Sequence, residues 1–387
     1  MSRVLIVRGQ LATPWELHPW TALPGRFEVS YLLTRSNEFD VASLPLSAER
    51  VSSLRDRLPK GRLGEMAAGI AGERYLADAE PAYAAADIVH AEELSFWFAA
   101  DAARRKERHA FKLIQTVWET LPFLREYRNR HARSYRDQVL SATDLFLPAT
   151  ERARQALLLE GVDEERLLVC PPGIDVDRFG APAAPPPGQH VVLSPGRLVW
   201  EKGHQDVLRA VALLARDGLR PRVRIVGRGP EEARLRAHAT ELGIGEQVEI
   251  GPVAYDEMPS VFASASCMVL ASLPSATAQI HLFGVPRAFW EEQFGMVLAE
   301  SMAAGLDILA AESGAIGEVL QGEGALFPSG DWPRLAKMLR SGPLSREPGE
   351  RVAYPPSLVN HYSVTAMAER LAGAYDRVLG SSGAPEG

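Results

Sequence analysis

Glu292 and Glu300 close the two ends of the run Glu292-Gln-Phe-Gly-Met-Val-Leu-Ala-Glu300, with seven residues between two acids. Phe294-Gly295 reads as the entry to a helix, and Met296 to Ala304 are good helix formers that Gly305 stops. Eight steps at ~1.5 Å each put the carboxylates ~12 Å apart along one axis. Between them lie the free N–H groups of a first helical turn, which attract anions. A ligand with hydroxyls at both ends and phosphates in the middle suits that layout, and a nucleotide-sugar is such a ligand. A surface acid ahead of a helix and a second on its first turns leave the same pattern. The neighbouring elements therefore have to decide.

Those neighbours repeat one theme. Val191-Val-Leu-Ser-Pro-Gly-Arg-Leu-Val-Trp-Glu-Lys-Gly203 opens as a buried strand, breaks at Pro195-Gly196 and supplies Arg197 and Lys202 before a helix near His204. A forked guanidinium and a point-charge ammonium at the carboxyl end of a strand are placed to neutralise phosphate. Val223-Arg-Ile-Val-Gly-Arg-Gly-Pro230 is a strand ending in a glycine turn that contains Gly227. Val248–Val253 and Cys267–Ser275 are two more apolar runs that end in loops. This is β-α repetition, which puts every such loop on one edge of a parallel sheet.

Taken together, these motifs resemble the retaining GT-B glycosyltransferases of family 4 (glycosyl transferases group 1). Gly196-Arg197, Glu201-Lys202-Gly203, Val226–Pro230, Gly251-Pro-Val253, Leu273-Pro-Ser275 and the paired acids stand in that family's order and spacing. Ser313–Val319 is similar to its later glycine-rich loop, and Pro172–Phe179 to the end of its N-terminal domain. The resemblance implies an α/β GT-B fold: two facing Rossmann-like domains, with a C-terminal helix crossing back to the first. It also implies a hexosyltransferase that moves a hexose from a UDP- or GDP-sugar to a hydroxyl acceptor, keeping the anomeric configuration. Arg197 and Lys202 would hold and stabilise the leaving diphosphate, Glu292 the donor-sugar hydroxyls and Glu300 the ribose. Gly196, Gly227 and the backbone of Phe294, Gly295, Met296 and Val297 would line the donor, and the backbone at Val253 the base. The same resemblance implies no metal and no cofactor beyond the donor itself. A non-catalytic nucleotide-sugar-binding subunit is the alternative.

Composition fits this frame. The chain has 387 residues, 46% of them hydrophobic, which is enough for two cores. The expected division is residues 1–183, with a tail helix at 361–380, and residues 184–360. The proline-rich run Ala181–Gly188 is read as the linker. No apolar stretch approaches a membrane span, and the first strand, Val4–Val7, is too short for a signal peptide. Cys170 and Cys267 sit at apolar strands and read as buried thiols of a cytoplasmic protein. No Cys/His cluster has metal-ligand spacing, and the net charge of −7 argues against nucleic acid as a partner.

The first half departs from the family pattern. One glycine, Gly9, follows the first strand instead of a glycine-rich loop, and Trp118-Glu119 replaces the histidine usual after the strand ending at Val117. Glu119 as hydrogen-bond partner, or Trp118 as stacking surface, is the expectation for the transferred sugar; both residues shaping their loop is the other reading. His90-Ala-Glu-Glu93 follows another strand, so His90, Glu92 or Glu93 is expected to meet the acceptor. Residues 276–290 form an insertion that either covers the donor, contacts the acceptor or decorates the surface. The basic stretch 104–136 is expected either to touch anionic lipid at the inner membrane face or to be a salt-bridged helix surface.

Overall fold

The structure is a computed structural model. It describes residues 1–380 apart from 11, 38–40, 42–43, 59–60, 62, 65–72, 125–126, 128, 181–184, 187 and 277–287. The chain divides into two compact units, Met1–Ile174 together with the chain from Ser363 onward, and Asp175–Tyr362. The change of unit thus falls at Ile174/Asp175, ahead of the proline-rich run, part of which lies outside the described residues.

Unit 1 is a six-stranded parallel sheet. Its strands are β1 (Ser2–Gly9), β2 (Phe27–Thr34), β3 (Ser47–Val51), β4 (Ile88–Glu92), β5 (Lys112–Val117) and β6 (Leu145–Pro148), in the order β3-β2-β1-β4-β5-β6. Near-continuous apolar runs such as Val4–Val7 are what a sheet covered on both faces requires. Helices Trp97–Lys106, Arg130–Ala142 and Glu151–Leu159 form where their apolar spacing and caps direct, with Asn129 and Thr150 capping the last two through their side chains. One face packs Leu5, Val89, Leu113 and Phe146 against Phe98. The other packs Val4, Ile6, Ile88 and Ile114 against the chain's last helix, Val364–Leu379, through Met367, Leu371 and Tyr375.

Unit 2 repeats the plan with β7 (Val191–Pro195), β8 (Arg222–Val226), β9 (Val248–Gly251), β10 (Cys267–Leu270), β13 (Asp307–Ala311) and β14 (Ala325–Phe327). The order is β14-β13-β10-β7-β8-β9, all parallel. A separate antiparallel pair joins β11 (Ser275–Ala276) to β12 (Ala288–Trp290), with Ser275 opposite Trp290. Both cysteines are free and buried, and burial pushes each thiol up to about 12.

One apolar run falls short of a strand, and two other segments lie largely outside the described residues. Leu167–Val169 runs beside β6 but forms a single bridge, Phe146 to Leu167, because Pro171 and Pro172 follow and cannot donate to a ladder. Around residues 64–79, where the gap between strands predicts a helix, most of the chain lies outside the described residues; the described part before α-helical Glu80 holds a bridge from Tyr75 to Ser53 and a 3-10 turn at Ala77–Ala79. Most of the insertion at 276–290 also lies outside the described residues; its described end is β12.

Candidate functional site

In unit 2 the motif residues gather at the carboxyl ends of β7, β8, β10 and β13, where backbone segments cross at distances only glycine permits. A Cβ on Gly227 would stand 1.9 Å from the Gly196 carbonyl oxygen, and one on Gly203 would stand 1.8 Å from that of Ala271. One on Gly314 would stand 2.0 Å from the Glu292 carbonyl oxygen. Gly203 and Gly314 also hold φ of +68° and +53°, which other residues adopt at a cost. These crossings bind the loop after β7 to β10 and the loop after β13 to Glu292.

The charged centre is a pair. The Lys202 ammonium donates to both Glu292 oxygens, at 2.8 and 2.6 Å. Ser272 Oγ donates to Glu292 Oε2 at 2.6 Å. The Glu292 backbone is fixed as well: its N–H reaches Ser313 Oγ at 3.3 Å, and its carbonyl accepts from Ala315 N at 2.9 Å. The Lys202 ammonium also lies 5.3 Å from the centroid of the Trp290 ring. The side chains of the pair are only 13% and 6% exposed. Arg197, by contrast, is exposed, and its guanidinium has no hydrogen-bond partner among the described residues.

His204 holds this loop from below. Its Nε2 is 3.2 Å from the Arg197 carbonyl, which can only accept, so Nε2 carries the proton and Nδ1 accepts from Ser194 Oγ at 2.8 Å. Burial pushes the imidazole down to about 4, with the nearby Lys202 charge acting in the same direction and the backbone bonds opposing. His204, Ser272 and Ser313 were not singled out by the sequence; only their contacts reveal them.

The two acids do not share one helix. The helix is Met296–Ala303, with Gly295 as its cap at φ 77°, so Glu292 precedes it and the ~12 Å helical spacing does not apply. Phe294 is buried edge-on against Tyr362, 5.4 Å between centroids, and Met296 and Val297 are half-buried at the helix entry. Glu300 faces a different group of residues. Burial pushes its carboxyl up to about 7, and the Arg178 guanidinium pulls the other way. Arg178 donates to the Tyr255 carbonyl at 2.8 Å and lies 4.1 Å from the Tyr255 ring centroid. Val253, two residues before Tyr255, is half-buried in the loop after β9.

In unit 1 the acceptor expectation for His90 is corrected. His90 is fully buried, with Nδ1 2.8 Å from Tyr375 OH and Nε2 2.8 Å from Thr116 Oγ1. Trp20 Nε1 donates to the same Tyr375 oxygen at 2.7 Å. His90 therefore ties the tail helix to the sheet. Glu92 is buried beside Arg8, 3.2 Å apart, and Glu93 accepts from Trp118 N at 2.8 Å. Glu119 Oε1 accepts from Thr120 N and Leu121 N, both at 2.9 Å, so that oxygen shapes its own loop; Trp118 and Glu119 are half-buried.

The basic stretch is largely answered by acids. Arg104 meets Asp101, Arg105 meets Asp101 and Glu80, Lys106 meets Asp144, and Arg136 meets Glu160 and Asp137. Arg125 and Arg128 lie outside the described residues. Among the described residues, no three His, Cys, Asp or Glu side chains are placed to hold a metal, and no helix is long and apolar enough to cross a membrane.

Comparison with known proteins follows the same division. Residues 176–347 match the family model for glycosyl transferases group 1, and residues 26–178 match that for Glycosyltransferase Family 4. The chain is 34% identical over 197 residues to a D-inositol 3-phosphate glycosyltransferase of Nocardia farcinica, covering 46% of this chain and 40% of that one. The chain spans about half the length of the curated relatives it matches. Among solved structures, Anabaena HepE in complex with UDP-glucose is similar at a TM-score of 0.72 and 15% identity, over 97% of this chain and all of that one. Sucrose-phosphate synthase of Thermosynechococcus elongatus is similar at a TM-score of 0.72 and 15% identity, over 99% of this chain and all of that one. The fold is thus the GT-B fold, and the two matched segments run end to end through both units; the chain belongs to the group 1, family 4 glycosyltransferases.

Proposed function

We propose that the chain transfers a hexose from a nucleoside-diphosphate sugar, a UDP- or GDP-sugar, to a hydroxyl acceptor, with retention at the anomeric carbon. The observation that carries this reading is the Lys202–Glu292 pair, with Arg197 on the same loop and the Met296–Ala303 helix beginning four residues after Glu292. Cations and a helix N-terminus supply the charge that a leaving diphosphate needs. Glu292, its backbone held at Ser313 and Gly314, offers its carboxylate oxygens to sugar hydroxyls. Glu300, with Arg178 and Tyr255, takes the nucleoside end near Val253. Gly196 and Gly227 let backbone approach the phosphates closely.

Chemistry then runs by positioning and charge stabilisation. The acceptor attacks the anomeric carbon on the face the diphosphate leaves, and the leaving phosphate takes the acceptor's proton. No protein nucleophile and no metal is invoked. In unit 1, Trp118 and Glu119 are the proposed contacts for acceptor or sugar. Relatives named for D-inositol 3-phosphate glycosyl transfer and a similar fold solved with UDP-glucose support the class. The site of action is proposed to be cytoplasmic. Peripheral contact with anionic lipid through residues 104–136 is the part that the ion pairing supports least, and co-sedimentation with anionic vesicles tests it.

The deciding experiment is a thermal-shift panel of UDP-, GDP- and ADP-sugars, since a ligand of the folded state alone raises Tm. It is followed by proton NMR of the product made from an α-linked donor. A rise for one donor and an α-linked product are expected. No shift for any donor, or a β-linked product, overturns the reading.

A further inference from the structure

Among the described residues the Lys202 ammonium meets Glu292 and Trp290, and the two differ in kind. Glu292 holds the ammonium through both oxygens, while the Trp290 ring lies 5.3 Å from it. Both reach Lys202 from the same stretch of chain, since Trp290 ends β12 and Glu292 follows two residues later. The backbone that carries the ring is held by its own strand: Ser275 pairs with Trp290 across the β11–β12 ladder, and Ser275 Oγ donates to the Trp290 carbonyl at 3.5 Å. Its neighbour Phe289 meets Trp200, on Lys202's own loop, with 6.3 Å between ring centroids. That loop is tied to the end of β10 by Leu273 N donating to the Glu201 carbonyl at 2.7 Å. The two aromatic residues of β12 thus both bear on the lysine loop.

The proposed reaction asks the two partners of Lys202 to do different things. Glu292 must turn its oxygens to the hydroxyls of the donor sugar, which withdraws the charge that holds the ammonium. An aromatic face attracts a cation without competing for sugar hydroxyls or phosphate oxygens. We propose that Trp290 is a positioning residue that keeps the Lys202 ammonium at the diphosphate when Glu292 engages the sugar. This inference rests on the donor-binding reading above. Trp290 touches neither phosphate nor sugar; it acts through Lys202.

The test uses the full chain and the nucleoside diphosphate whose sugar most raises the wild-type Tm, together with the matching monophosphate. Trp290→Leu should weaken diphosphate binding about three- to tenfold. Monophosphate binding should change less than twofold, and Trp290→Phe should recover part of the loss. In a Lys202→Met background, Trp290→Leu should have no further effect on diphosphate affinity, an outcome that a merely structural ring would not produce. Equal losses for mono- and diphosphate, or a Trp290→Leu effect undiminished in the Lys202→Met background, overturn the assignment. A Trp290→Leu chain that fails to fold leaves the decision to Trp290→Phe, whose unchanged diphosphate affinity at wild-type Tm would also overturn it. A wild type that binds no nucleoside diphosphate overturns the donor reading itself, which is a separate outcome.

Discussion

Lys202 and Glu292 neutralise each other almost out of water, so neither charge is free to be removed alone. Truncating one member of such a pair leaves the other buried and unanswered, at about 3–5 kcal/mol. Lys202→Ala is therefore expected to lower the urea midpoint as well as nucleotide affinity, whereas Arg197→Ala, exposed and unpaired among the described residues, should lower affinity and turnover at unchanged stability. Equal stability losses in the two would contradict the geometry. Glu292→Gln should spare free-nucleotide binding and depress turnover of the whole donor. Glu300 makes a pH prediction. Its folded carboxyl titrates at about 7, above the ordinary carboxyl range, so between that range and about 7 the folded state keeps a proton that the unfolded chain has lost. Stability from this group falls as pH rises across that window and is level above it. Glu300→Gln, always neutral, should gain stability relative to wild type at pH 8 and not at pH 5, as urea midpoints at the two pH values will show. Nucleotide affinity of the wild type should rise through the same window, because only the ionised carboxylate accepts from both ribose hydroxyls.

The elements that carry the site were legible where one physical demand dominated. Val191–Pro195 and Cys267–Leu270 are apolar because both their faces are covered, and Gly196 after the first marks its turn. β3, Ser-Ala-Glu-Arg-Val, escaped notice because four of its five residues are exposed at the sheet edge and carry no apolar pattern. The pairing of Lys202 with Glu292 was also hidden, since it joins positions 90 residues apart and depends on how two loops meet. His90 misled for a related reason. Its place at a strand end suggested the ligand edge, but its partners Trp20 and Tyr375 come from distant sequence and enclose it. Backbone crossings lead to the next prediction. Gly203→Ala forces a Cβ onto the Ala271 carbonyl and should abolish nucleotide binding with a drop in Tm. Gly218→Ala, at φ +86° with nothing within 4 Å, should cost only about 1–2 kcal/mol of backbone strain and leave binding intact. Similar losses at both glycines would show that the crossing does not set the site.

At the scale of the molecule, unit 1 is built from both ends of the chain. In the last helix the sequence spacing puts Val364, Met367, Leu371, Ala374 and Val378 on one apolar face; Met367, Leu371 and Ala374 are buried together with Ala368, Ala372 and Tyr375, while Val364 and Val378 are only half-buried. Tyr375→Phe should cost about 1–3 kcal/mol by leaving the buried Trp20 and His90 nitrogens unsatisfied, readable as a lower urea midpoint. An unchanged midpoint would mean that another group serves those nitrogens. The same construction sets an order of events at the ribosome. Asp175–Tyr362 is one unbroken stretch and can complete its core as it emerges. Met1–Ile174 emerges first yet lacks the helix that covers one face of its sheet. At roughly 5–20 residues per second, that apolar face stays uncovered for roughly 10–40 s while the second unit is being made. The nascent first unit is therefore a client for chaperones that bind exposed apolar surface, and slowing translation between residues 175 and 363 should lengthen that dependence.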